Sequence, residues 1–244
     1  MRILLIRKEK IEGGEYELSK KEKNYLKNVL RLKEDDAFKA KDESEKLYDA
    51  VLKDDHLILS ESEESAPYLD VMPSFNGHFQ RIHLYQAILK GKKNERVVRD
   101  SQEAGIERLT FISTEFTSTD FIKDHDRERL DAIRREAVQQ SGAKVMEISD
   151  TLDFSYAIKS AEGIILILHQ SPRGNTKNIK EALANADKDD VISVFIGSEG
   201  GFSDRECDEA EDNGAIPVLL KTNILRAENA SIYTISAIQT LLNE

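Results

Sequence analysis

Apolar and polar positions divide this chain into two regimes. After Arg81, short β-branched runs alternate with stretches of helical period. The pattern predicts strands at Arg81 to Leu89, Leu109 to Ser113, Gly163 to His169, Val191 to Ile196 and Ile216 to Leu220. Helices are predicted at Asn94 to Ala104, Asp126 to Ser141, Asn178 to Ala186, from Ser203 to near Gly214, and at Ile232 to Leu242. Strands alternating with helices imply an α/β fold with a mostly parallel sheet covered on both faces. Before Arg81 the pattern is that of a small β-rich module, with strands at Arg2 to Ile6, Ala37 to Ala40, Leu47 to Leu52 and His56 to Leu59 and a helix at Lys20 to Val29. The polar, proline-containing stretches Ser60 to Pro67 and Met72 to Gly77 make poor strands and poor helices. They set an expected boundary, giving domains at 1–72 and 73–244.

Composition narrows the class. Of 244 residues, 39% are hydrophobic, enough for a core. The longest aliphatic run, Ile164 to Leu168, is far short of the roughly 20 residues of a membrane span. Met1 to Ile6 lacks the features of a signal peptide. The single cysteine, Cys207, excludes an internal disulfide and a cysteine zinc cluster, and its helical setting suits a small core residue. His56, His78, His83 and His125 are scattered without metal-ligand spacing, so no metal is expected. The expected compartment is cytoplasmic. The net charge of −11 opposes a nucleic-acid partner, but its distribution is uneven. Arg81, Lys90, Lys92, Lys93, Arg96 and Arg99 face only Glu95, while acidic residues gather at Glu34 to Glu45, Glu61 to Glu64 and Asp204 to Asp212. A basic face on an acidic body and a merely solvated lysine loop both stay open.

The chemistry concentrates near the C-terminus. The run Val191 to Ile196 ends in Gly197-Ser-Glu-Gly-Gly201, where missing Cβ atoms let backbone approach a ligand closely. Ser203 and Glu206 form a capping-box pattern just beyond it. The spacing is neither the dinucleotide fingerprint nor a P-loop, which weighs against an oxidoreductase. The pair Ile196-Gly-Ser-Glu-Gly-Gly-Phe-Ser203 and Ile224-Leu-Arg-Ala-Glu-Asn-Ala230 resembles the bacterial 16S ribosomal RNA uridine-N3 methyltransferase family (RsmE-type) of the SPOUT superfamily. The resemblance extends to Tyr85 to Lys93, Glu103 to Ile106, Arg135 to Gly142 and Tyr25 to Asp36, nearly the whole chain. Against the family pattern, Ser198 replaces a proline, Leu220 a glycine, and Ala227 and Asn229 threonines. The family's N-terminal histidine is replaced near Asn24, and Ala143-Lys144 stands where an arginine is usual.

The resemblance implies a SPOUT-type mostly parallel sheet with a C-terminal trefoil knot, preceded by a PUA-like RNA-binding barrel, in a homodimer. It implies S-adenosylmethionine as cofactor, held by Leu168, His169, Gln170, Ile196, Gly197, Ser198, Glu199, Gly200, Gly201, Leu219, Leu220, Ile224, Leu225 and Arg226. Arg226 would steady an anionic uracil, and Glu199 and Glu228 compete to take the N3 proton. Glu228 has the plainer reading of favouring the positive end of the last helix. Lys27, Arg31, Lys90, Lys92 and Lys93 would meet 16S rRNA or the small ribosomal subunit, although Arg31 could instead cap a helix. Ser198 is expected to loosen its loop, and Leu220 to crowd the adenine if its φ is positive. Those departures keep an alternative open: a diverged SPOUT protein that binds RNA or cofactor without this activity, or methylates another RNA.

Overall fold

A computed structural model of the chain describes residues 3–62 and 80–242. Within these, two units separate: residues 3–62 with 135–145, and residues 80–134 with 146–242. The expected boundary at 72/73 and His78 lie outside the described residues.

The first unit is a six-stranded sheet. Its strands are β1 (Leu4–Leu5), β2 (Ile11–Glu12), β3 (Glu15–Glu17), β4 (Ala37–Lys41), β5 (Leu47–Lys53) and β6 (His56–Glu61), in the order β1-β4-β5-β6-β3-β2. All neighbours are antiparallel except β1 and β4. Alternation puts Tyr16, Ala50, Leu57 and Leu59 inside with Leu4, Ile6, Leu18 and Leu26. The first strand is shorter than the sequence suggests. The β2–β3 hairpin was not expected; it turns on Gly13 and Gly14, both at positive φ. Helix α1 (Lys20–Asn24) starts from the Ser19/Glu22 capping box and then widens into a π-helical turn over Tyr25–Leu30. Arg31 ends this turn at φ 58°, so it does terminate the helix while its side chain stays exposed.

Residues 135–145 join this unit through buried polar contacts. Arg135 donates to Glu43 at 2.6 Å and to the Leu5 carbonyl at 2.9 Å. Lys41, 2% exposed, donates to the Ala143 carbonyl at 2.6 Å and to Glu45 at 2.9 Å. Part of the Glu34 to Glu45 acidic run is therefore structural, and Ala143 is buried in this junction.

The second unit is a seven-stranded, wholly parallel sheet. It contains β7 (Arg81–Ala87), β8 (Arg108–Ser113), β9 (Glu147–Ile148), β10 (Leu152–Asp153), β11 (Ile164–Leu168), β12 (Val191–Ile196) and β13 (Ile216–Val218). The order is β10-β8-β7-β12-β11-β13, with β9 also beside β8. Every residue of β12 is buried, as a central parallel strand requires. One face is covered by α2 (Lys93–Glu103), the start of α3 (Asp124–Ser141), α5 (Ile179–Ala182) and α7 (Ala227–Leu242), through Val97, Leu130, Ile179, Ile235 and Ile238. The other is covered by α4 (Phe154–Ser160) and α6 (Asp204–Asp212), where Phe154 and Cys207 pack near the stacked Tyr85–Phe195 pair. Cys207 is fully buried, and burial pushes its thiol up to about 11, consistent with a core role.

Strands β9 and β10 and helix α4 were not expected, β7 and β13 each end two residues early, and two helix boundaries differ more. The last helix begins at Ala227, five residues before Ile232, because Asn229 and Ala230 already donate to the Arg226 carbonyl. Helix α5 stops at Ala182, before the helix-poor Asn185 and Asp187. Among the described residues no helix is long and apolar enough to cross a membrane. The Gly163 turn into β11 is tight: φ is +69° and a Cβ there would lie 2.0 Å from the Val191 carbonyl oxygen. Gly163→Ala should therefore destabilise the fold by about 2–4 kcal/mol, read as a lowered urea midpoint at unchanged slope.

Candidate active site at the carboxyl ends of three strands

In the parallel sheet, the chain turns out of β11, β12 and β13 on the same edge, where α/β folds collect ligands. A cavity of about 460 Å³ opens there. Its walls are Leu168, His169 and Gln170 after β11; Ile196, Gly197, Ser198, Glu199 and Gly201 after β12; and Leu219, Leu220 and Thr222 to Arg226 after β13. Ala227 and Ala230 of α7 and Lys93 of α2 complete it.

Backbone contacts set this shape. A Cβ on Gly197 would lie 2.7 Å from the Gly201 carbonyl carbon, and Gly201 takes φ +75°. The turn closes with the Gly201 amide donating to the Ser198 carbonyl at 3.0 Å. Ser198, expected to loosen the turn, makes two hydrogen bonds there. Its buried hydroxyl donates to the Phe116 carbonyl and accepts from the Gly200 amide, each at 3.3 Å. Below the turn, the buried Gln86 amide donates to the Ala87 carbonyl at 3.0 Å and faces those of Ile196 and Gly197, while its oxygen accepts from Ser231 of α7. The capping box closes as the sequence predicts: Glu206 accepts from the Ser203 amide at 2.8 Å, and its second oxygen accepts from Glu115. Leu220 is not among the described non-glycine residues at positive φ; it packs against the core as it lines the cavity.

Charge is distributed asymmetrically around the cavity. Glu199 accepts from the Lys93 ammonium at 2.6 Å and from the Lys90 amide at 3.2 Å. Burial pushes its carboxyl up, but the bond from Lys93 and the amide bonds outweigh this and hold it below the ordinary range. The Arg226 guanidinium is exposed and has no side-chain partner among the described residues. Glu228 is 4% exposed, does not line the cavity, and leaves its Oε2 without a hydrogen bond. The ring of His169 bonds only within its own loop, to Ser171.

Of the fourteen residues expected at the cofactor, thirteen line the cavity; Gly200 does not, because it packs against Phe116. Thr222 and Asn223, within the loop from Leu219 through Arg226 that the resemblance implies at the cofactor, also line it, as do Ala227 and Ala230 of the Ile224 to Ala230 motif. Lys93, expected at RNA, also lines the cavity, while Lys90 and Lys92 are exposed beside it. Lys27 lies in the first unit on an exposed groove with Lys20, Lys21 and Lys23. No group of three or more His, Cys, Asp or Glu among the described residues is arranged to hold a metal.

The model of an RNA methyltransferase domain matches residues 77–239, two thirds of the chain, and that of an RNA methyltransferase PUA domain matches residues 18–61. The chain belongs to the RNA methyltransferase family. Relatives include the ribosomal RNA small subunit methyltransferase E of Buchnera aphidicola, 24% identical over 94% of this chain and 89% of its own. A second, from Borreliella burgdorferi, is 30% identical over 67% of each chain. Among solved structures, a Neisseria gonorrhoeae ribosomal RNA small subunit methyltransferase E bound to S-adenosyl methionine superposes with a TM-score of 0.76, at 21% identity over 99% and 98% of the two chains. A Legionella pneumophila protein solved with SAM gives 0.78, at 24% identity over 98% and 96%. The shared fold is an α/β unit with a parallel sheet and an N-terminal curled β-sheet, consistent with a SPOUT methyltransferase behind a PUA-like domain.

A carboxylate held below its ordinary range stabilises the fold above that range, and the contribution is lost as pH falls through its folded value. Glu199→Gln should therefore lower the urea midpoint at neutral pH, and the gap to wild type should close below about pH 4.5. A gap that stays constant from neutral to acid pH would contradict the assigned ion pair.

Proposed function

We propose that this methyltransferase transfers a methyl group from S-adenosylmethionine to N3 of a uridine in 16S rRNA. The observation that carries this reading is Arg226: a cation without a side-chain partner among the described residues, on the rim of a cavity walled by three strand-end loops. The cavity lies within the ~300–1,000 Å³ typical of small-molecule sites. The Gly197–Gly201 turn offers backbone at close range, and Ile196, Leu219, Leu220 and Leu225 offer apolar surface for an adenine. These residues, with Leu168, His169, Gln170, Ser198 and Ile224, would hold the cofactor. Bound there, S-adenosylmethionine supplies an electrophilic methyl group.

The protein's part is orientation and charge. Uridine N3 reacts once its proton has passed to water, and Arg226 would hold the resulting negative charge at the cavity mouth. N3 then takes the methyl group, with S-adenosylhomocysteine as the leaving group. Glu199, tied to Lys93 and held in its ionised form, would orient the loop and the cofactor; its low proton affinity makes it a poor base. Glu228, buried and not among the cavity-lining residues, fits a structural role in the first turn of α7 better than proton transfer. The hydrogen bonds of Ser198 and the backbone of Leu220 remove two reasons for the diverged reading.

The finer architecture belongs to the same proposal. The domains are 1–72, a PUA-like RNA-binding barrel, and 73–244, the methyltransferase. Lys27, Arg31, Lys90, Lys92 and Lys93 would meet the phosphates of 16S rRNA or of the small subunit in the cytoplasm. The chain runs from β12 out to β13, and α7 then packs back over β7 and β12. That return supports a trefoil knot. Exposed Ile224, Tyr233 and Leu241 on or beside α7 support a homodimer.

Arg226→Ala should slow labelled methyl transfer to small-subunit RNA about 10²–10³-fold, by analogy with loss of one charge-stabilising donor. The melting-temperature rise with S-adenosylhomocysteine should persist. An unchanged transfer rate would remove Arg226 from the site.

A further inference from the structure

Arg173 lies outside the cavity lining, yet it gathers three carboxylates from one helix. Its guanidinium donates to Glu211 at 2.8 Å, to Asp204 at 3.0 Å and to Asp208. These acids are spaced by four and three residues, so they share one face of α6. Arg173 follows Gln170 by three positions, and α6 begins three residues after Gly201. One side chain therefore joins the loop leaving β11 to the element that continues the turn leaving β12.

The rest of the β11 loop has little else to hold it. Its base is closed at both ends: the His169 amide donates to the Val218 carbonyl at 3.1 Å, the Lys177 amide to the Pro217 carbonyl at 2.9 Å, and the Leu219 amide to the Lys177 carbonyl at 3.0 Å. At its tip, Gln170, Ser171, Pro172, Gly174 and Asn175 are exposed. The other hydrogen bonds there are local, between His169 and Ser171 and between Arg173 and Thr176. No apolar residue of the tip is buried, whereas the Arg173 side chain is 18% exposed.

We propose that Arg173 is a positioning residue for the cofactor: by pinning the β11 loop to α6 it holds the loop beyond His169, Gln170 included, in place as one wall of the cavity. The inference rests on the S-adenosylmethionine reading of that cavity. Preorganised walls spare the cofactor the cost of ordering them, so their loss appears in affinity rather than in the transfer step. Asp204 and Asp208 are 92% and 68% exposed, so salt should screen the clamp.

The test compares wild type, Arg173→Ala, Arg173→Lys and Glu211→Gln by calorimetric titration with S-adenosylhomocysteine, with methyl transfer to small-subunit RNA measured at saturating cofactor. Arg173→Ala should weaken binding about tenfold and leave kcat within about twofold, with Arg173→Lys recovering part of the loss. Added salt should weaken binding by wild type more than by Arg173→Ala. If Arg173→Ala does not fold, Glu211→Gln carries the comparison, with a smaller loss of affinity expected. Wild-type affinity in both variants overturns the proposal. Failure of wild type itself to bind overturns the cofactor reading along with it.

Discussion

The approach of Gly197 to Gly201 is the constraint on which the site depends. A side chain at Gly197 would overlap the Gly201 backbone, and Gly201 holds a left-handed conformation that other residues adopt at a cost. Because both are glycine, the chain leaving β12 reverses within five residues. Glu199 and Gly200 are left at the tip, Phe202 enters the core, and Ser203 begins the next helix. A wider turn would separate Glu199 from Lys93 and displace the start of α6. The position of the acidic side chain and the origin of the supporting helix thus follow from one backbone contact.

Around that turn the cavity is built mainly from main chain and short side chains, which suits a parallel sheet. Such strands are buried on both faces, so the polar groups at their carboxyl ends must find partners in the loops. Gln86 meets part of that need from beneath, bonding at the end of β7 and to Ser231 of α7. Glu206 meets another part by capping α6 and accepting from Glu115. These buried amide and carboxylate groups fix loop positions with directional bonds, where apolar packing alone would leave freedom to slide. The Arg226 side chain is the exception: it makes no such bond among the described residues, so its charge stays available at the cavity mouth.

Much of this was legible in the residues. The β-branched and helical runs after Arg81 marked five of the seven strands and every helix but α4, because burial on two faces leaves long β-branched stretches; β9, β10 and α4 are short and left no such run. The capping box at Ser203 and the glycine turn were readable because each is a local rule. What was not legible depends on distance along the chain. Lys93 and Glu199 are 106 positions apart, and nothing near either one announces the other. The union of Arg135 to Val145 with the N-terminal sheet rests on Lys41, Glu43 and Glu45, which in sequence look like ordinary surface charge. Ser198 read as a weakened proline site because its hydrogen bonds depend on Phe116, itself placed by a different strand.

The most direct measurement is nucleoside mass spectrometry of 16S rRNA from small subunits incubated with the purified protein and S-adenosylmethionine. The account predicts one methyl group per RNA, recovered as 3-methyluridine and absent when cofactor is withheld. Methylation of a different base or ring position, or none with cofactor bound, would contradict it.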